Sequence, residues 1–291
     1  MKRNEPLSKH TTFKIGGPAE FYFEPISMAE LKESLKFAKE KKRKVFFLGN
    51  GSNLLVSDKG FKGVVIRPRM DRVMAPRLRS GQVSGKSIVV ESGVSIGHLL
   101  NLLAKKGLTG LEFMTGIPGC VGGSVAMNAG VGDSWMGEKV VRVWASDMNG
   151  KPVVLNQKRC QFGYRKSIFQ KGNLAITKVE FKLQKGDPKE IKETIRKIWK
   201  ARLAKQPYNL PSAGSFFKNP KGKFAGQLID EAGLKGMRVG DAEVSLKHGN
   251  FIVNRGRAKA SQVLELAKKV QRKVRQKFGI KLEPEVKYLS M

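Results

Sequence analysis

The chain contains 291 residues, of which 40% are hydrophobic, and 56 Lys and Arg against 24 Asp and Glu give it a formal net charge of +32. This hydrophobic content excludes a disordered chain and indicates a globular protein of two or three subdomains, while the positive charge favours anionic ligands such as nucleic acid, membrane surfaces or phosphorylated small molecules. The sequence has no run long enough for a membrane span, no secretory signal at its start and only two cysteines in no metal-binding spacing, so we expect a cytoplasmic protein.

The first predicted elements are strands at 19–25, 44–49 and 63–68 and a helix at 27–42. The helix begins with the pair Ser27 and Glu30, which has the spacing of a capping box. Its hydrophobic residues recur at helical spacing, so we expect one face of the helix to pack on a core.

From about residue 71 the pattern changes to strands and helices without a regular βαβ repeat. Strands are predicted at 87–93, 139–147, 149–155, 173–184, 242–246, 250–254 and 285–290. Helices are predicted at 95–107, 191–205 and 224–233, and another begins near Ser261. Pro207 and Pro211 interrupt the pattern and indicate a linker. This irregular order favours an α+β fold over a doubly wound α/β fold.

The first glycine-rich loop, residues 49–53 (GNGSN), follows a predicted strand. Backbone N–H groups in such a turn can bind a phosphate, although an ordinary tight turn would have the same sequence. A Rossmann dinucleotide site would need a third glycine at position 54 and then a helix. Leu54 occupies that position and the residues after it are typical of a strand, which excludes a Rossmann site.

The second glycine-rich loop, residues 110–133, contains seven glycines. Positions without a Cβ allow the backbone to approach a flat or charged ligand closely. A short helix beginning at Gly122 would direct the positive end of its dipole towards a phosphate. Together, the two loops suggest one ligand that contains a pyrophosphate.

A third stretch, residues 211–220 (PSAGSFFKNP), places three polar side chains around an aromatic pair. Phe216 and Phe217 favour burial, whereas Ser215, Lys218 and Asn219 need hydrogen-bond partners if they are buried. Two interpretations stay open at this point. The stretch is either a loop anchored by its aromatic pair or a proton donor held in a partly dry pocket.

Six stretches, taken together and in this order, resemble the UDP-N-acetylenolpyruvoylglucosamine reductases, a family of flavoenzymes of bacterial peptidoglycan synthesis. They are TTFKIGGPAEFYF (11–23), LGNGSNLLVSDKGFKGVVI (48–66), FMTGIPGCVGGSVAMNAG (113–130), FGYRKSIF (162–169), PSAGSFFKNP (211–220) and LEPEVKYL (282–289). Each stretch alone is a weak signal, but six in sequence are highly specific. The short segment after FGYRKSIF resembles the type II form of the family, which lacks an extra substrate-covering loop.

The resemblance implies an α+β fold with a two-part FAD-binding region, of the vanillyl-alcohol-oxidase type, and a smaller α+β substrate domain. The expected FAD-binding subdomains are residues 1–70 and 71–206, and the expected substrate-binding domain is residues 207–291. The last strand is a candidate to return to the FAD domain. This expectation agrees with the absence of a Rossmann pattern in the first glycine-rich loop.

The resemblance also implies which residues bind FAD. The backbone of the first glycine-rich loop would hold the pyrophosphate, and the second loop would lie along the flavin and its phosphates. The matching positions are Gly49, Asn50, Gly51, Ser52, Asn53, Thr115, Gly116, Ile117, Pro118, Gly122, Gly123 and Ser124.

The catalytic residues that the resemblance implies are Arg165, Ser215 and Glu285. When hydride adds to the vinyl terminus of an enolpyruvyl ether, negative charge develops on the neighbouring carbon and its carboxylate. Arg165 offers a planar fork that matches a carboxylate, and a protonated Glu285 would donate a hydrogen bond to it. Ser215 would supply the proton, assisted by the positive charge of Lys218.

For the substrate, the resemblance implies a UDP-sugar, and NADPH is the expected reductant of FAD. NADPH would bind first and leave before the sugar nucleotide enters the same pocket. The expected substrate-binding residues are Tyr164, Arg202, Lys205, Lys218 and Asn219. We expect a monomer, and no metal, because His10, His98 and His248 have no metal-ligand spacing.

Two other functions are compatible with parts of the sequence. The charge of +32 would suit a nucleic-acid-binding or membrane-associated protein that has kept the flavin fold and lost its chemistry. Because the lysines are spread along the polar faces of amphipathic helices, nucleic acid is the less favoured partner. A flavin oxidase of the same broad fold is the other possibility, with FAD attached covalently through Cys120.

Overall fold

The computed structural model describes residues 1–74 and 86–290 and divides into two compact units. The first unit contains residues 1, 22–49 and 64–201, and the second contains residues 2–21, 50–63 and 202–291. The three-part division at residues 70 and 206 stays a prediction. Within the described residues, we find no helix that is both long and apolar enough to cross a membrane.

The strands are mostly short. In the first half of the chain they are β1 (Lys2–Pro6), β2 (Pro18–Phe23), β3 (Val45–Phe47), β4 (Leu54–Val56), β5 (Phe61–Ile66), β6 (Val73–Met74), β7 (Lys86–Glu91), β8 (Leu108–Thr109) and β9 (Gly130–Val131). They are followed by β10 (Ser134–Trp135), β11 (Val140–Asp147), β12 (Pro152–Asn156), β13 (Leu174–Lys185), β14 (Ser212–Ser215), β15 (Arg238–Val239), β16 (Ala242–Val244), β17 (Phe251–Asn254) and β18 (Lys287–Leu289).

The α-helices differ widely in length. They are α1 (Met28–Glu40), α2 (Ile96–Lys105), α3 (Val121–Ala126), α4 (Met136–Lys139), α5 (Pro188–Lys205), α6 (Ala225–Glu231) and α7 (Ala260–Phe278). Each strand and helix predicted from the sequence is present, with its ends shifted by a few residues. The predicted cap of α1 is confirmed, since the hydroxyl of Ser27 accepts a hydrogen bond from the Glu30 N–H at 3.2 Å.

The first unit is built on a six-stranded sheet. Its order is β12-β11-β13-β7-β6, and β8 also pairs with β13. All of these pairings are antiparallel, which supports the predicted α+β class. Helix α2 buries Leu99 and Leu103 in the same core as Val90 and Phe181. Burial of each such side chain contributes about 1.5–3 kcal/mol to the free energy of unfolding.

The second unit contains a four-stranded antiparallel sheet in the order β14-β17-β16-β15. Helix α7 buries Val263, Leu266 and Val270 in one core with Val244 and Ile252 of the sheet. A separate parallel pair is formed by β18 and β4, in register at residues 287–289 and 54–56. The C-terminal strand therefore pairs with a strand from the first 70 residues.

Helix α5 carries a hydrophobic stripe, but most of it is not buried. Ile191 is buried, whereas Trp199 and Leu203 are 38% and 40% exposed. The helix consists largely of strong helix formers, and Lys197 forms an ion pair of 3.1 Å with Glu193 one turn earlier. The packed part of α5 therefore lies in its first half, where Ile191 is buried and Ile195 packs, partly buried, on the core of the first unit.

Candidate active site

Ser215 is the last residue of β14, in the second unit. This strand pairs with β17, with Ser212 opposite Val253 and Ser215 opposite Phe251, and the register is irregular between the two pairs. Gly214 has φ +76°, a left-handed value that favours glycine. This bulge redirects the strand immediately before Ser215, whose side chain is half-buried.

The two phenylalanines after Ser215 anchor the segment. Phe216 and Phe217 are 3% and 1% exposed, and their rings meet edge to face with centroids 5.1 Å apart. Such a pair stabilises its own contact beyond the burial of its area. The predicted burial is confirmed, and the backbone that leaves Ser215 is fixed in a dry environment.

Glu285 lies beside the Ser215 segment. Its N–H donates to the Phe216 carbonyl at 2.8 Å, and Phe217 and Pro284 form an antiparallel bridge. The Glu285 side chain is half-buried. The second unit therefore brings the serine and the glutamate of the predicted catalytic set onto adjoining backbone segments.

The polar residues that follow the aromatic pair have partners of their own within this unit. Lys218 forms a hydrogen-bonded ion pair with Glu283 at 3.3 Å, and its N–H donates to the Glu283 carbonyl at 2.8 Å. The Asn219 side chain accepts a hydrogen bond from the Ala225 N–H at 3.0 Å, at the start of α6. Both side chains therefore also help to hold the loop in place.

Arg165 lies in the first unit, at the tip of a tight hairpin. Gly163 and Lys166 exchange two backbone hydrogen bonds of 3.0 Å, which close a two-residue turn at Tyr164 and Arg165. Arg165 has φ +52°, a left-handed value that is uncommon for a residue with a Cβ. Its guanidinium carbon lies 5.4 Å from the ring centroid of Trp135 and 5.5 Å from that of Tyr164, within the range of a cation–π contact.

Asn128, which is only 4% exposed, holds this hairpin from the inside. Its amide donates to the Gly163 carbonyl at 2.8 Å, and its side-chain oxygen accepts from the Gly137 N–H at 2.8 Å. A buried amide with both ends hydrogen-bonded stabilises one geometry of the backbone around it. The orientation of the Arg165 turn therefore depends on Asn128.

Within the first unit, the two glycine-rich loops approach each other. A Cβ placed on Gly49 would lie 3.0 Å from the Cys120 sulfur and 3.5 Å from the Gly123 Cα. A Cβ on Gly122 would lie 2.8 Å from the Ser92 Cβ. These glycines let backbone pack on backbone, as a loop that surrounds a flat or charged ligand requires.

The rest of the first glycine-rich loop belongs to the second unit. Gly51 has φ +61°, and a Cβ there would clash with the His10 carbonyl. The Asn53 amide donates to the Glu285 carbonyl at 3.2 Å. Asn53 therefore joins the predicted cofactor loop to the backbone of a predicted catalytic residue.

Two buried hydroxyl groups lie in or next to the second glycine-rich loop, that of Thr115 within it and that of Ser92 beside Gly122. Thr115 and Ser92 are 5% and 4% exposed, and their hydroxyl oxygens have no hydrogen-bond partner in the part of the chain that is described. Leaving such a group without a partner costs about 1–3 kcal/mol. Hydroxyl groups beside closely packed glycines fit the phosphates and ring edges of FAD. Among the described residues, no group of three or more His, Cys, Asp or Glu is placed to hold a metal ion.

The remaining predicted residues differ in exposure. Tyr164 is 46% exposed, beside Arg165 in the hairpin. Arg202 is half-buried and Lys205 is exposed, one turn later at the end of α5. Cys120, the alternative point of covalent flavin attachment, is a free thiol and 4% exposed.

Sequence reasoning missed Asn128 and Trp135, which contact the Arg165 hairpin in the first unit, and Asn250, which bonds to the Ser215 segment in the second unit. Asn250 is 4% exposed and precedes β17, and its side chain makes two hydrogen bonds to the Phe217 backbone. The signal available in the sequence was a polar residue next to a hydrophobic run. Burial lowers the pKa of His248, and Lys235 lowers it further. The His248 ring accepts a hydrogen bond from the Asn250 N–H at 3.1 Å.

Comparisons with known proteins cover nearly the whole chain. A family model described as FAD binding domain matches residues 19–156, and one described as UDP-N-acetylenolpyruvoylglucosamine reductase, C-terminal domain, matches residues 206–289. The chain is 42% identical over 287 residues to the UDP-N-acetylenolpyruvoylglucosamine reductase of Caldanaerobacter subterraneus subsp. tengcongensis, with 99% of this chain and 93% of that protein covered. For the same enzyme of Moorella thermoacetica the identity is 43% over 283 residues, with 97% and 91% covered. The crystal structure of UDP-N-acetylenolpyruvylglucosamine reductase from Thermus caldophilus matches with a TM-score of 0.80 and 40% identity, and covers 98% of this chain and 97% of that one.

Proposed function

The chain belongs to the UDP-N-acetylenolpyruvoylglucosamine reductase family, and we propose that in this FAD-dependent oxidoreductase Arg165, Ser215 and Glu285 carry the chemistry. The reaction reduces the enolpyruvyl ether of UDP-N-acetylglucosamine to the lactyl ether of UDP-N-acetylmuramate. One hydride adds to the terminal CH2 group and one proton adds to the neighbouring carbon, so that the double bond becomes a single bond. When bound, FAD supplies the hydride chemistry, with NADPH as the reductant.

FAD is held, on this proposal, by the glycine-rich loops. The twelve positions given above from Gly49 to Asn53 and from Thr115 to Ser124 are the candidates. The buried hydroxyl groups of Thr115 and Ser92 support this assignment, because each gains a hydrogen-bond partner if a phosphate or a polar ring edge lies next to it.

Arg165 binds the substrate carboxylate in this mechanism. Its guanidinium can donate two parallel hydrogen bonds to a carboxylate, and it lies within cation–π range of the rings of Trp135 and Tyr164. As charge spreads onto the carboxylate during hydride addition, the same hydrogen bonds become stronger. Tyr164 is then placed to contact the sugar.

Ser215 donates the proton to the carbon next to the carboxylate. A serine hydroxyl is a weak acid, so it gives its proton only to a strong base. A carbanion adjacent to a carboxylate is such a base. Phe216 and Phe217 exclude water from one side of the segment, which keeps solvent from competing for the proton. The single observation that carries this assignment is the hydrogen bond from the Glu285 N–H to the Phe216 carbonyl. It connects the backbone of Glu285 to the residue that directly follows Ser215.

Glu285 donates a hydrogen bond, as a carboxylic acid, to the substrate carboxylate while charge develops there. Arg202, Lys205, Lys218 and Asn219 bind the UDP-sugar, and the first two are the candidates for its pyrophosphate. We further propose that NADPH and the sugar nucleotide use one pocket in turn and that the protein acts in the cytoplasm as a monomer.

Stopped-flow flavin spectroscopy on the purified holoprotein tests this function. We expect NADPH to bleach the visible flavin band and UDP-N-acetylglucosamine enolpyruvate, added next without oxygen, to restore it. A colourless preparation that carries bound nucleic acid, or a flavin band that the sugar nucleotide does not restore, would count against the reductase. Flavin that stays attached after denaturation would favour the oxidase with FAD on Cys120.

A further inference from the structure

The buried side chain of Asn250 lies directly behind the Ser215 segment. Its Oδ1 accepts the Phe217 N–H at 2.9 Å and its Nδ2 donates to the Phe217 carbonyl at 2.8 Å. Its own carbonyl accepts the Phe216 N–H at 2.7 Å. Three backbone groups of the two residues that follow Ser215 are therefore bonded to one residue.

These bonds continue the β14–β17 ladder past its end. The last regular pair of the ladder is Ser215 and Phe251, and a bulge precedes it. Because a side-chain amide has the same donor and acceptor as a peptide group, Asn250 supplies one more rung where the strand has ended. Without that rung, the Phe217 N–H and carbonyl would lose their partner, whereas the Phe216 N–H would keep its bond to the Asn250 main-chain carbonyl.

The other side of the same segment is bonded to residues 283–285. The Phe216 carbonyl accepts the Glu285 N–H at 2.8 Å, and the Lys218 N–H donates to the Glu283 carbonyl at 2.8 Å. The segment thus lies between Asn250 and residues 283–286. A shift of the segment away from Asn250 would alter the position of Ser215 relative to Glu285.

We propose that Asn250 is a positioning residue for proton transfer, which it serves by fixing the backbone that carries Ser215 relative to Glu285. This inference rests on the proposed roles of those two residues. A misplacement of about 1 Å at a reacting group lowers a rate by about 100-fold, so a small movement of this segment has a large kinetic effect.

Asn254, the last residue of β17, provides a matched control. It is also a buried asparagine, 3% exposed, and its side chain makes three hydrogen bonds, to Phe13, Gly256 and Ala258. These partners lie outside residues 215–218. If buried asparagines matter only for folding, Asn254→Ala and Asn250→Ala would have the same consequences.

The experiment measures three quantities on holoprotein of both variants: the free energy of unfolding, the rate of flavin reduction by NADPH, and the rate of flavin reoxidation by the enolpyruvyl sugar nucleotide. We expect both variants to be destabilised and to be reduced at the wild-type rate. In Asn250→Ala alone, we expect reoxidation to slow by about 100-fold, with the affinity of the oxidised protein for the sugar nucleotide unchanged by calorimetry. Equal reoxidation rates in the two variants would overturn the inference.

Two further variants keep the result interpretable. Asn250→Asp retains the shape and the acceptor towards Phe217 if the alanine variant does not fold, and we expect a smaller loss, of about 10-fold. In a Ser215→Ala background, Asn250→Ala should add little, because the residue acts through Ser215. Fast reoxidation in Ser215→Ala itself would defeat the proposed proton donor, whereas slow reoxidation there with normal reoxidation in Asn250→Ala would defeat only the positioning role.

Discussion

The Arg165 hairpin and the Ser215 segment are both held by a buried asparagine, but to different degrees. Asn128 makes one hydrogen bond to the hairpin, at the Gly163 carbonyl, and the long Arg165 side chain then extends past aromatic rings. Asn250 and β17 together bond the backbone on both sides of Ser215. The long Arg165 side chain can reach a carboxylate by rotating about its own bonds. The Ser215 hydroxyl is bonded directly to the Cβ, so the backbone sets its position.

The largest effect is expected at the short side chain. Ser215→Ala should slow flavin reoxidation by the enolpyruvyl sugar nucleotide by about 1,000-fold, because a general acid contributes about 10²–10⁴-fold. FAD content and flavin reduction by NADPH should equal those of the wild type. Stopped-flow absorbance gives both rates, and unchanged reoxidation would remove Ser215 from the mechanism.

For the cation, we expect Arg165→Ala to lower kcat by about 100-fold, the usual effect of removing a donor from a developing negative charge. Arg165→Lys should recover little of this loss, since an ammonium group cannot form the two parallel hydrogen bonds of a guanidinium. Steady-state kinetics of the two variants tests the comparison. Full activity in the lysine variant would show that only the charge matters.

Two substitutions of Glu285 test whether this residue acts by donating a hydrogen bond. Glu285→Ala should lower kcat by about 100-fold and Glu285→Gln by about 10-fold, because an amide still donates a hydrogen bond. The ratio of the two losses is the readout. Equal losses would contradict the role of a protonated carboxyl group.

Asn128→Ala should destabilise the first unit by about 1–3 kcal/mol, because the Gly163 carbonyl and the Gly137 N–H lose a buried partner. Since Arg165 can adjust, we expect kcat to fall only a few-fold, much less than in Asn250→Ala. Denaturant unfolding and steady-state kinetics measure the two effects. A kcat loss as large as that of Asn250→Ala would remove the contrast between the two regions.

The smallest effect is expected at His248, which is half-buried and accepts a hydrogen bond from the Asn250 N–H. Because burial lowers its pKa in the folded protein, the unfolded chain binds the proton more readily as the pH falls below about 6.5. Wild-type stability should therefore decrease as the pH falls from about 6.5 towards the lowered folded pKa. His248→Gln should reduce this slope in unfolding titrations between about pH 5 and pH 7, and an unchanged slope would exclude His248 as its source.

Local sequence signals identified most elements and much of the candidate site. Helical spacing located α1, α2 and α7, and the missing third glycine correctly excluded a Rossmann loop. The sequence did not reveal that Asn250 bonds to Phe217, 33 positions away, because tertiary packing decides which backbone groups a buried amide meets. For the same reason, it did not reveal that Lys218 pairs with Glu283.

A crystal structure of the oxidised holoprotein with the enolpyruvyl sugar nucleotide bound is the most direct test of the central claim. We expect the Arg165 guanidinium and the Glu285 carboxyl group to contact the substrate carboxylate. The Ser215 hydroxyl should lie about 3–3.5 Å from the carbon that receives the proton. The account is contradicted if the three side chains contact different parts of the ligand, or if Ser215 is separated from that carbon by another residue.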